Sequence, residues 1–163
     1  MIEIRDEALG DEEAIRRVNE EAFGQPDEAR IVDALRAHCP DLLSLVAVDG
    51  EEVVGHILFS PASLERARGM GLAPMSVLPG RQRDGIGSRL VEEGLRRLRE
   101  RGCPFVIVLG HAEYYPRFGF EPASAHGVRC KWDVPDEVFM ILVLDAPVME
   151  GVSGVAHYRG ELG

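Results

Sequence analysis

Residues 81–90 have the sequence RQRDGIGSRL and join two segments of different hydrophobic periodicity. The apolar run before them, GLAPMSVLP at 71–79, has the composition of a strand, whereas apolar residues recur at helical spacing from Ile86 onward. The first N–H groups of a helix have no partner inside it, and the helix dipole places partial positive charge there. Gly85 and Gly87 let the backbone approach a ligand closely because they have no Cβ atom. This stretch therefore predicts an anion-binding turn, with a phosphate or pyrophosphate as its ligand.

Length and composition predict a globular protein with one domain. The chain has 163 residues, enough for one hydrophobic core and too few for two ordinary enzymatic domains. We expect a single domain over residues 1–148 and a glycine-rich C-terminal tail over 149–163. The sequence has neither a long uncharged apolar run nor the pattern of a signal peptide, so we expect a cytoplasmic protein.

Cysteine content and net charge exclude several kinds of site and partner. Cys39, Cys103 and Cys130 are odd in number and form no CxxC pair, which argues against a disulfide framework and against a zinc site. We therefore expect no metal. The formal net charge of -10 disfavours general binding to nucleic acid or to an anionic membrane and favours cationic partners.

Hydrophobic periodicity predicts the element order β, α, α, β, β, β, α, β, α, β, which is typical of a mixed α/β or α+β domain. The strongest hairpin signal is Asp49-Gly50 between two β-rich runs. The predicted strands cover residues 1–5, 43–48, 53–60, 71–78, 105–109 and about 138–144, and we expect the strand at 71–78 to extend further at its front. Helices are predicted from 11 to the break at Gly24 and Pro26, up to about 38, over 86–98 before Gly102, and as a short turn or helix at 113–118.

Two familiar phosphate-binding motifs are absent. The P-loop requires GxxxxGK followed by Ser or Thr, and the only lysine of the chain is Lys131. The dinucleotide fingerprint GxGxxG would need a third glycine where this chain has Leu90. It also belongs near the first strand of a βαβ unit, whereas this stretch follows four or five strands.

A different pattern is satisfied: Gln or Arg, two residues, Gly, one residue, Gly or Ala, here Gln82, Gly85 and Gly87. Together with the preceding MSVLP and with YPRFGF at 115–120, it closely resembles the GNAT superfamily of N-acetyltransferases, which use acetyl-coenzyme A. The resemblance covers most of residues 1–145. The stretch VLGHAEYYPRFGF at 108–120 is similar to a bacterial branch of the superfamily, and this similarity does not identify the acceptor. It implies a central, mostly antiparallel sheet, splayed at the strand that binds the cofactor and flanked by helices.

The resemblance also implies which residues bind acetyl-coenzyme A. Backbone groups of Met75, Ser76 and Val77 would bind the pantetheine arm, and the Val77 N–H would polarise the thioester carbonyl. Asp84 departs from the family, which more often has a neutral or basic residue there. A carboxylate near a pyrophosphate is repulsive unless it faces solvent. Independently of the resemblance, Arg81 and Arg83 lie beside the glycines and are better candidates for a phosphate contact than the arginines beyond Arg89. The residues expected to hold the pyrophosphate are Gln82, Arg83, Asp84, Gly85, Ile86, Gly87 and Ser88.

Tyr115 is the expected general acid. A coenzyme A thiol has a pKa of about 8.5 and a tyrosine of about 10, so at neutral pH the phenol has a proton to give to the departing thiolate. Tyr114 is adjacent, but the spacing Tyr-x-x-x-Gly-Phe selects Tyr115. His111 lies where many relatives use an asparagine to contact the cofactor.

The general base and the acceptor stay open in the sequence. Candidate bases are His56, Glu65, His111 and Glu113. We expect direct transfer in a ternary complex to a primary amine, either of a small cationic metabolite or of a protein or peptide. The alternatives are a sensor that binds acyl-coenzyme A without catalysis and a different nucleotide- or phosphate-binding enzyme, and a homodimer is also left open.

Overall fold

Nine strands and four helices make up the regular structure, and the computed structural model describes every residue from 1 to 163. The strands are β1 (Ile2–Asp6), β2 (Leu43–Asp49), β3 (Glu52–Leu64), β4 (Ala67–Val77), β5 (Phe105–Leu109), β6 (Glu121–Pro122), β7 (Val128–Cys130), β8 (Phe139–Val143) and β9 (Gly154–Ala156). The helices are α1 (Glu12–Phe23), α2 (Asp27–His38), α3 (Ile86–Glu100) and α4 (Ala146–Met149). Short 3-10 helices lie at Pro79–Arg81, Tyr115–Phe118, Ala123–His126, Asp136–Val138 and Gly160–Leu162.

Seven strands form one mixed sheet in the order β1-β2-β3-β4-β5-β8-β6. The pairs β1/β2, β2/β3, β5/β8 and β6/β8 are antiparallel, whereas β4 and β5 are parallel, with Gly71 opposite Ile107. The predicted hairpin closes with Asp49 opposite Glu52, and Gly50 has a φ of 67° in its turn. A mixed, mostly antiparallel sheet combined with helices confirms the predicted fold class.

The chain divides into two compact units. The first unit comprises Met1–Phe59 and Ala73–Arg96, and the second comprises Ser60–Leu72 and Arg97–Gly163. β3, β4 and α3 each contribute residues to both units, since the boundaries fall within these elements.

The core of the first unit is built by one apolar face of each helix and by strands of the sheet. Ile15 and Val18 of α1, Leu35 of α2 and Leu90 of α3 are all buried, at the helical spacing that the sequence shows. α1 and α2 pack against each other and end where the chain no longer favours a helix, α1 at Gly24 with a φ of 70°. None of the helices has the length and apolarity needed to cross a membrane.

The core of the second unit includes the residues after Met149. Met149 and Val152 are buried, and β9 pairs in parallel with β7, with Val128 opposite Gly154. Ser63 and His157 exchange two backbone hydrogen bonds of 2.9 and 2.8 Å. The sequence pattern predicted no strand in this glycine-rich stretch because a three-residue strand is too short to establish a periodicity. The buried members of this core are Ala62, Leu64, Ala67, Phe105, Ile107, Ala123, Val128, Phe139, Ile141, Met149, Val152 and Ala156.

Gly94 of α3 packs directly against Phe59 of β3, since a Cβ atom there would overlap the Phe59 ring. We expect Gly94→Ala to destabilise the protein by about 1–3 kcal/mol through overpacking, which exceeds the gain in helix propensity. Gly160→Ala is the control because its Cβ would meet nothing within 4 Å. Differential scanning calorimetry should show a Tm several degrees lower for Gly94→Ala alone, and an equal Tm for both variants would contradict the close approach.

Candidate functional site

The turn between β4 and α3, in the first unit, contains two residues in the left-handed region. The Leu78 N–H donates to the Val54 carbonyl at 2.9 Å, just past the end of β4. A 3-10 turn follows at Pro79–Arg81, and then Arg83 and Gly85 have φ angles of 71° and 78°. Glycine adopts this conformation readily, whereas arginine adopts it at a cost, so the turn is specified by the tertiary structure as well as by its sequence.

The N terminus of α3 presents backbone amides at an open surface. Its first hydrogen bond runs from the Arg89 N–H to the Gly85 carbonyl at 3.1 Å, so the amides of Ile86 and Gly87 are not used within the helix. Gly85 is exposed, and no heavy atom lies within 4 Å of where its Cβ would stand. Two amides at the positive end of a helix dipole, below open space, suit an anion.

The two arginines that the sequence suggests as phosphate contacts, Arg81 and Arg83, lie in different surroundings. Arg81 donates to Asp49 Oδ2 at 2.9 Å, and its Nε lies 3.8 Å from Asp84 Oδ2. The Arg81 guanidinium holds the pKa of Asp49 below its ordinary value. Arg81, suggested by the sequence as a phosphate contact, is thus held by carboxylates within the protein, whereas Arg83 is exposed. The Asp84 side chain is 60% exposed, as expected of a carboxylate that faces solvent.

The turn is tied back to the end of β4 by a side chain. Gln82 Nε2 donates to the Val77 carbonyl at 3.1 Å, although Gln82 itself is exposed. Val77 and Ser76 are buried and Met75 is half-buried. The structure therefore brings the predicted residues from Met75 to Ser88 together as one continuous strand, turn and helix start.

The side chain of Ser76 points into a buried polar network that the sequence did not predict. Ser76 Oγ donates to Asn19 Oδ1 at 2.9 Å, and Asn19 Nδ2 lies 3.2 Å from His56 Nδ1. Asn19 Nδ2 also donates to the Ile15 carbonyl at 3.0 Å. Asn19 and His56 are completely buried, and Ser76 is 3% exposed. The network joins α1, β3 and β4 within the first unit.

The network continues outward from His56 to half-buried charged groups. His56 Nε2 lies 2.9 Å from Ser44 Oγ, which donates to Glu7 Oε1 at 2.6 Å. Arg36 donates to both oxygens of Glu7, at 2.8 and 3.2 Å, and also to Asp33. Since Ser44 has one proton and gives it to Glu7, His56 must donate to Ser44 from Nε2 and accept from Asn19 at Nδ1. With this single neutral tautomer of His56, each polar group of the network has a hydrogen-bond partner.

Burial accounts for the acid–base behaviour of His56. Removal from water, with a smaller contribution from the Arg36 charge, lowers the pKa of His56 to about 3. A histidine that stays neutral near pH 7 and has both ring nitrogens occupied takes no proton from an amine. Of the candidate bases, His56 is therefore a structural histidine.

Tyr115 lies in the second unit, in an aromatic cluster. It is 6% exposed and begins the 3-10 helix Tyr115–Phe118, and its ring centroid lies 5.2 Å from that of Tyr114 and 5.7 Å from that of Phe120. Burial, with the neighbouring Tyr114 adding a smaller effect, raises the pKa of Tyr115 to about 12. The phenol thus keeps its proton throughout the neutral and mildly alkaline range, as a general acid must.

The other candidate groups of the second unit are less enclosed. His111 and Glu113 are exposed, and the His111 carbonyl accepts from the N–H groups of Tyr114 and Tyr115 at 3.1 and 3.3 Å. Glu65 lies in the turn between β3 and β4, where its carboxylate accepts from the Ser153 N–H at 2.9 Å. No group of three or more His, Cys, Asp or Glu side chains is arranged to hold a metal ion.

Comparison with known proteins gives a consistent result. Residues 12–120 match the model of the acetyltransferase (GNAT) family. The chain is 36% identical over 161 residues to the uncharacterized N-acetyltransferase YhbS of Escherichia coli strain K12, covering 97% of this chain and 94% of YhbS. The crystal structure of Escherichia coli YhbS in complex with CoA matches with a TM-score of 0.93 at 34% identity, covering 99% of this chain and 91% of that chain. A GNAT family acetyltransferase from Brucella melitensis in complex with acetyl-CoA matches with a TM-score of 0.82 at 37% identity, covering 100% and 99%.

The lowered pKa of His56 makes stability depend on pH. Below about pH 6.5 the unfolded chain binds a proton at this histidine that the folded chain does not bind until about pH 3, so stability is lost as the pH falls through this window. One such group contributes a slope of about 1.4 kcal/mol per pH unit well below pH 6.5. The free energy of unfolding, measured with urea between pH 5 and 7, should depend less steeply on pH for His56→Gln than for the unmodified protein. An equal dependence on pH in the two proteins would contradict a neutral, buried His56.

Proposed function

Because the chain belongs to the GNAT acetyltransferase family, we propose that it moves an acetyl group from acetyl-CoA directly to a primary amine. The family assignment makes the chain an N-acetyltransferase dependent on acetyl-CoA, and related proteins bind CoA or acetyl-CoA. The acceptor class and the direct transfer are the new parts of this proposal. The observation that carries it is the strand, turn and helix from Met75 to Ser88, which ends at open backbone amides.

The turn before α3 fits the pyrophosphate of acetyl-CoA. The amides of Ile86 and Gly87 are not used by the helix, and the space above Gly85 is open. Arg83 is exposed and adds positive charge, while Arg81 keeps Asp49 and Asp84 partly neutralised. Charge-assisted hydrogen bonds from backbone amides are strong, so this turn supplies most of the binding to the pyrophosphate.

Acetyl-CoA supplies an acetyl group that is activated as a thioester, and Val77 acts on its carbonyl. The Val77 N–H donates to the carbonyl oxygen, on which negative charge develops as the amine nitrogen attacks. A fixed donor stabilises this charge more than it stabilises the ground state, which lowers the barrier. The Gln82 side chain, bonded to the Val77 carbonyl, helps to hold the end of the strand in place.

Tyr115 donates its proton to the leaving sulfur. The new bond joins the amine nitrogen to the acetyl carbon, the carbon–sulfur bond breaks, and the sulfur takes up the phenolic proton. The raised pKa of Tyr115 ensures that this proton is present, and the raised value also makes the phenol a weaker acid than an exposed tyrosine. The amine releases its extra proton to water or to an exposed carboxylate such as Glu113, and the Tyr115 phenolate takes up a proton from solvent to complete the cycle.

Direct transfer is favoured because Cys39, Cys103 and Ser76 have no base beside them that would activate them as nucleophiles. Cys39 is buried, and burial raises the pKa of the Cys103 thiol, whose Sγ lies 3.2 Å from the Phe105 carbonyl. A thiol with a raised pKa has little of the reactive thiolate at neutral pH. The Ser76 hydroxyl is engaged with Asn19. An acetylated enzyme intermediate therefore has no suitable residue among these.

The net charge of the chain favours a cationic acceptor. A formal charge of -10 attracts an alkyl ammonium ion over long distances. An amine with a pKa near ~10.4 is almost fully protonated at neutral pH, whereas an α-amine near ~7.7–8.0 is neutral in a sizeable fraction of molecules. Acceptors of the second kind need less help from a base.

A thiol-release assay with acetyl-CoA tests the proposed function. The acceptor panel should contain polyamines, amino acids, aminoglycosides and peptides with free N termini. We expect release above the hydrolytic background with at least one cationic amine, and N-acetylation of that amine by mass spectrometry. No release with any amine, together with tight binding of acetyl-CoA, would favour a sensor that binds acyl-CoA without catalysis.

Tyr115→Phe removes the proposed proton donor and keeps the ring. We expect kcat to fall by about a hundredfold or more, while the Kd for acetyl-CoA changes little. Tyr114→Phe is the matched control, since the adjacent ring belongs to the same aromatic cluster, and it should retain most of the activity. Equal losses in the two variants would exclude a specific role for Tyr115.

Asp84→Asn removes a negative charge from the proposed pyrophosphate site. We expect acetyl-CoA to bind a few times more tightly, corresponding to about 0.5–1 kcal/mol, and the gain to shrink as salt is added. Glu13→Gln, on the exposed face of α1, changes the net charge equally and should not affect binding. Isothermal titration calorimetry at two salt concentrations distinguishes the local effect from the global one.

A further inference from the structure

We infer that Asn19 is a positioning residue for acetyl transfer: its side chain holds Ser76, and through Ser76 the backbone that presents the Val77 N–H. This inference rests on the proposed function, which assigns the Val77 N–H to the thioester carbonyl. Asn19 lies on α1, 57 residues before Ser76, and their side chains meet at 2.9 Å.

The orientation of the Asn19 amide is determined by its surroundings. Nδ2 has two protons, and it donates one to the Ile15 carbonyl at 3.0 Å and the other to His56 Nδ1 at 3.2 Å. Oδ1 is then the only group left to accept the Ser76 hydroxyl. Rotating the amide would turn an oxygen toward the Ile15 carbonyl and break these contacts, so Asn19 offers Ser76 a single, fixed acceptor.

The partners of Asn19 are themselves fixed. His56 donates to Ser44, Ser44 donates to Glu7, and Arg36 holds both oxygens of Glu7. Because the network is completely buried at Asn19 and His56, loss of one member would leave the others unsatisfied away from water. The position of Ser76 is therefore set by β2, β3, α1 and α2 together.

Holding Ser76 in place matters because Val77 follows it directly. The Val77 nitrogen belongs to the peptide group formed with the Ser76 carbonyl carbon, so a rotation or shift of Ser76 moves the Val77 N–H. A donor of this kind is effective only when its direction matches the developing charge, and a displacement of about 1 Å can cost about a hundredfold in rate. Binding of the pyrophosphate, which uses the amides at the start of α3, depends on this direction far less.

The test is a double-mutant cycle with Asn19→Ala, Ser76→Ala and the double variant. We expect each single variant to lower kcat by about tenfold or more and the double variant to lower it by no more than one single variant, since the residues act through one hydrogen bond. The KM for acetyl-CoA should stay within about threefold of the unmodified value. Ser60→Ala is the matched control, because Ser60 Oγ is also buried on a strand and has no hydrogen-bond partner, and it should leave kcat unchanged.

The possible outcomes separate this inference from the proposed function. Unmodified protein that transfers no acetyl group overturns the proposed function and the inference that rests on it. Active unmodified protein with an unchanged kcat in Ser76→Ala, or losses that add in the double variant, overturns the positioning role alone. A loss confined to the Tm or to the KM for acetyl-CoA overturns it too. If Asn19→Ala does not fold, the comparison of Ser76→Ala with Ser60→Ala tests the inference. We then expect kcat to fall in Ser76→Ala alone, with a KM for acetyl-CoA that stays nearly unchanged.

Discussion

The buried hydrogen bond from Ser76 to Asn19 constrains how the elements of the first unit fit together, since it joins residues that lie 57 positions apart. Serine and asparagine side chains are costly to bury, and here each finds its partner in a different element of the chain. The bond joins α1 to β4 and continues through His56 to β2. A polar network of this kind allows one arrangement of its strands and helices, whereas apolar packing alone tolerates small shifts.

The end of β4 decides where the following turn and helix lie. Leu78 bonds to Val54 of β3, Gln82 bonds back to Val77, and α3 begins four residues after Gln82. The amides of Ile86 and Gly87 are thus positioned by the same strand that presents the Val77 N–H. In the proposed function, this strand directs the Val77 N–H at the thioester carbonyl, while the amides at the start of α3 bind the pyrophosphate.

The charge that the turn offers to a ligand depends on which of its arginines are paired with carboxylates, more than on the number of arginines. Arg81 forms an ion pair with Asp49, which is 32 residues away, and Asp84 lies near the same guanidinium. The positive charge open to a ligand comes from Arg83 and from the helix dipole. Tyr115, by contrast, depends on exclusion of water, since burial raises its pKa and keeps its proton in place.

The sequence predicted what is local and missed what joins distant residues. The order of the longer elements, β1 to β5, β8 and α1 to α3, the hairpin at Asp49-Gly50 and the turn before α3 follow from periodicity and turn chemistry. The short elements β6, β7, α4 and β9 were not predicted, because segments of two to four residues show no periodicity. β3 runs to Leu64, beyond its predicted end at residue 60, because pairing with neighbours supports strand residues that have weak patterns of their own. β4 begins at Ala67, and an extension ahead of residue 71 was expected from the sequence. Asn19 gave no signal, since an asparagine on a helix is usually exposed, and its partners lie far away in the chain.

A crystal structure with acetyl-CoA bound tests the central claim most directly. We expect pyrophosphate oxygens on the amides of Ile86 and Gly87, the thioester carbonyl on the Val77 N–H, and the bond between Ser76 and Asn19 unchanged. A pyrophosphate bound away from the start of α3, or a thioester carbonyl that does not reach Val77, would contradict it.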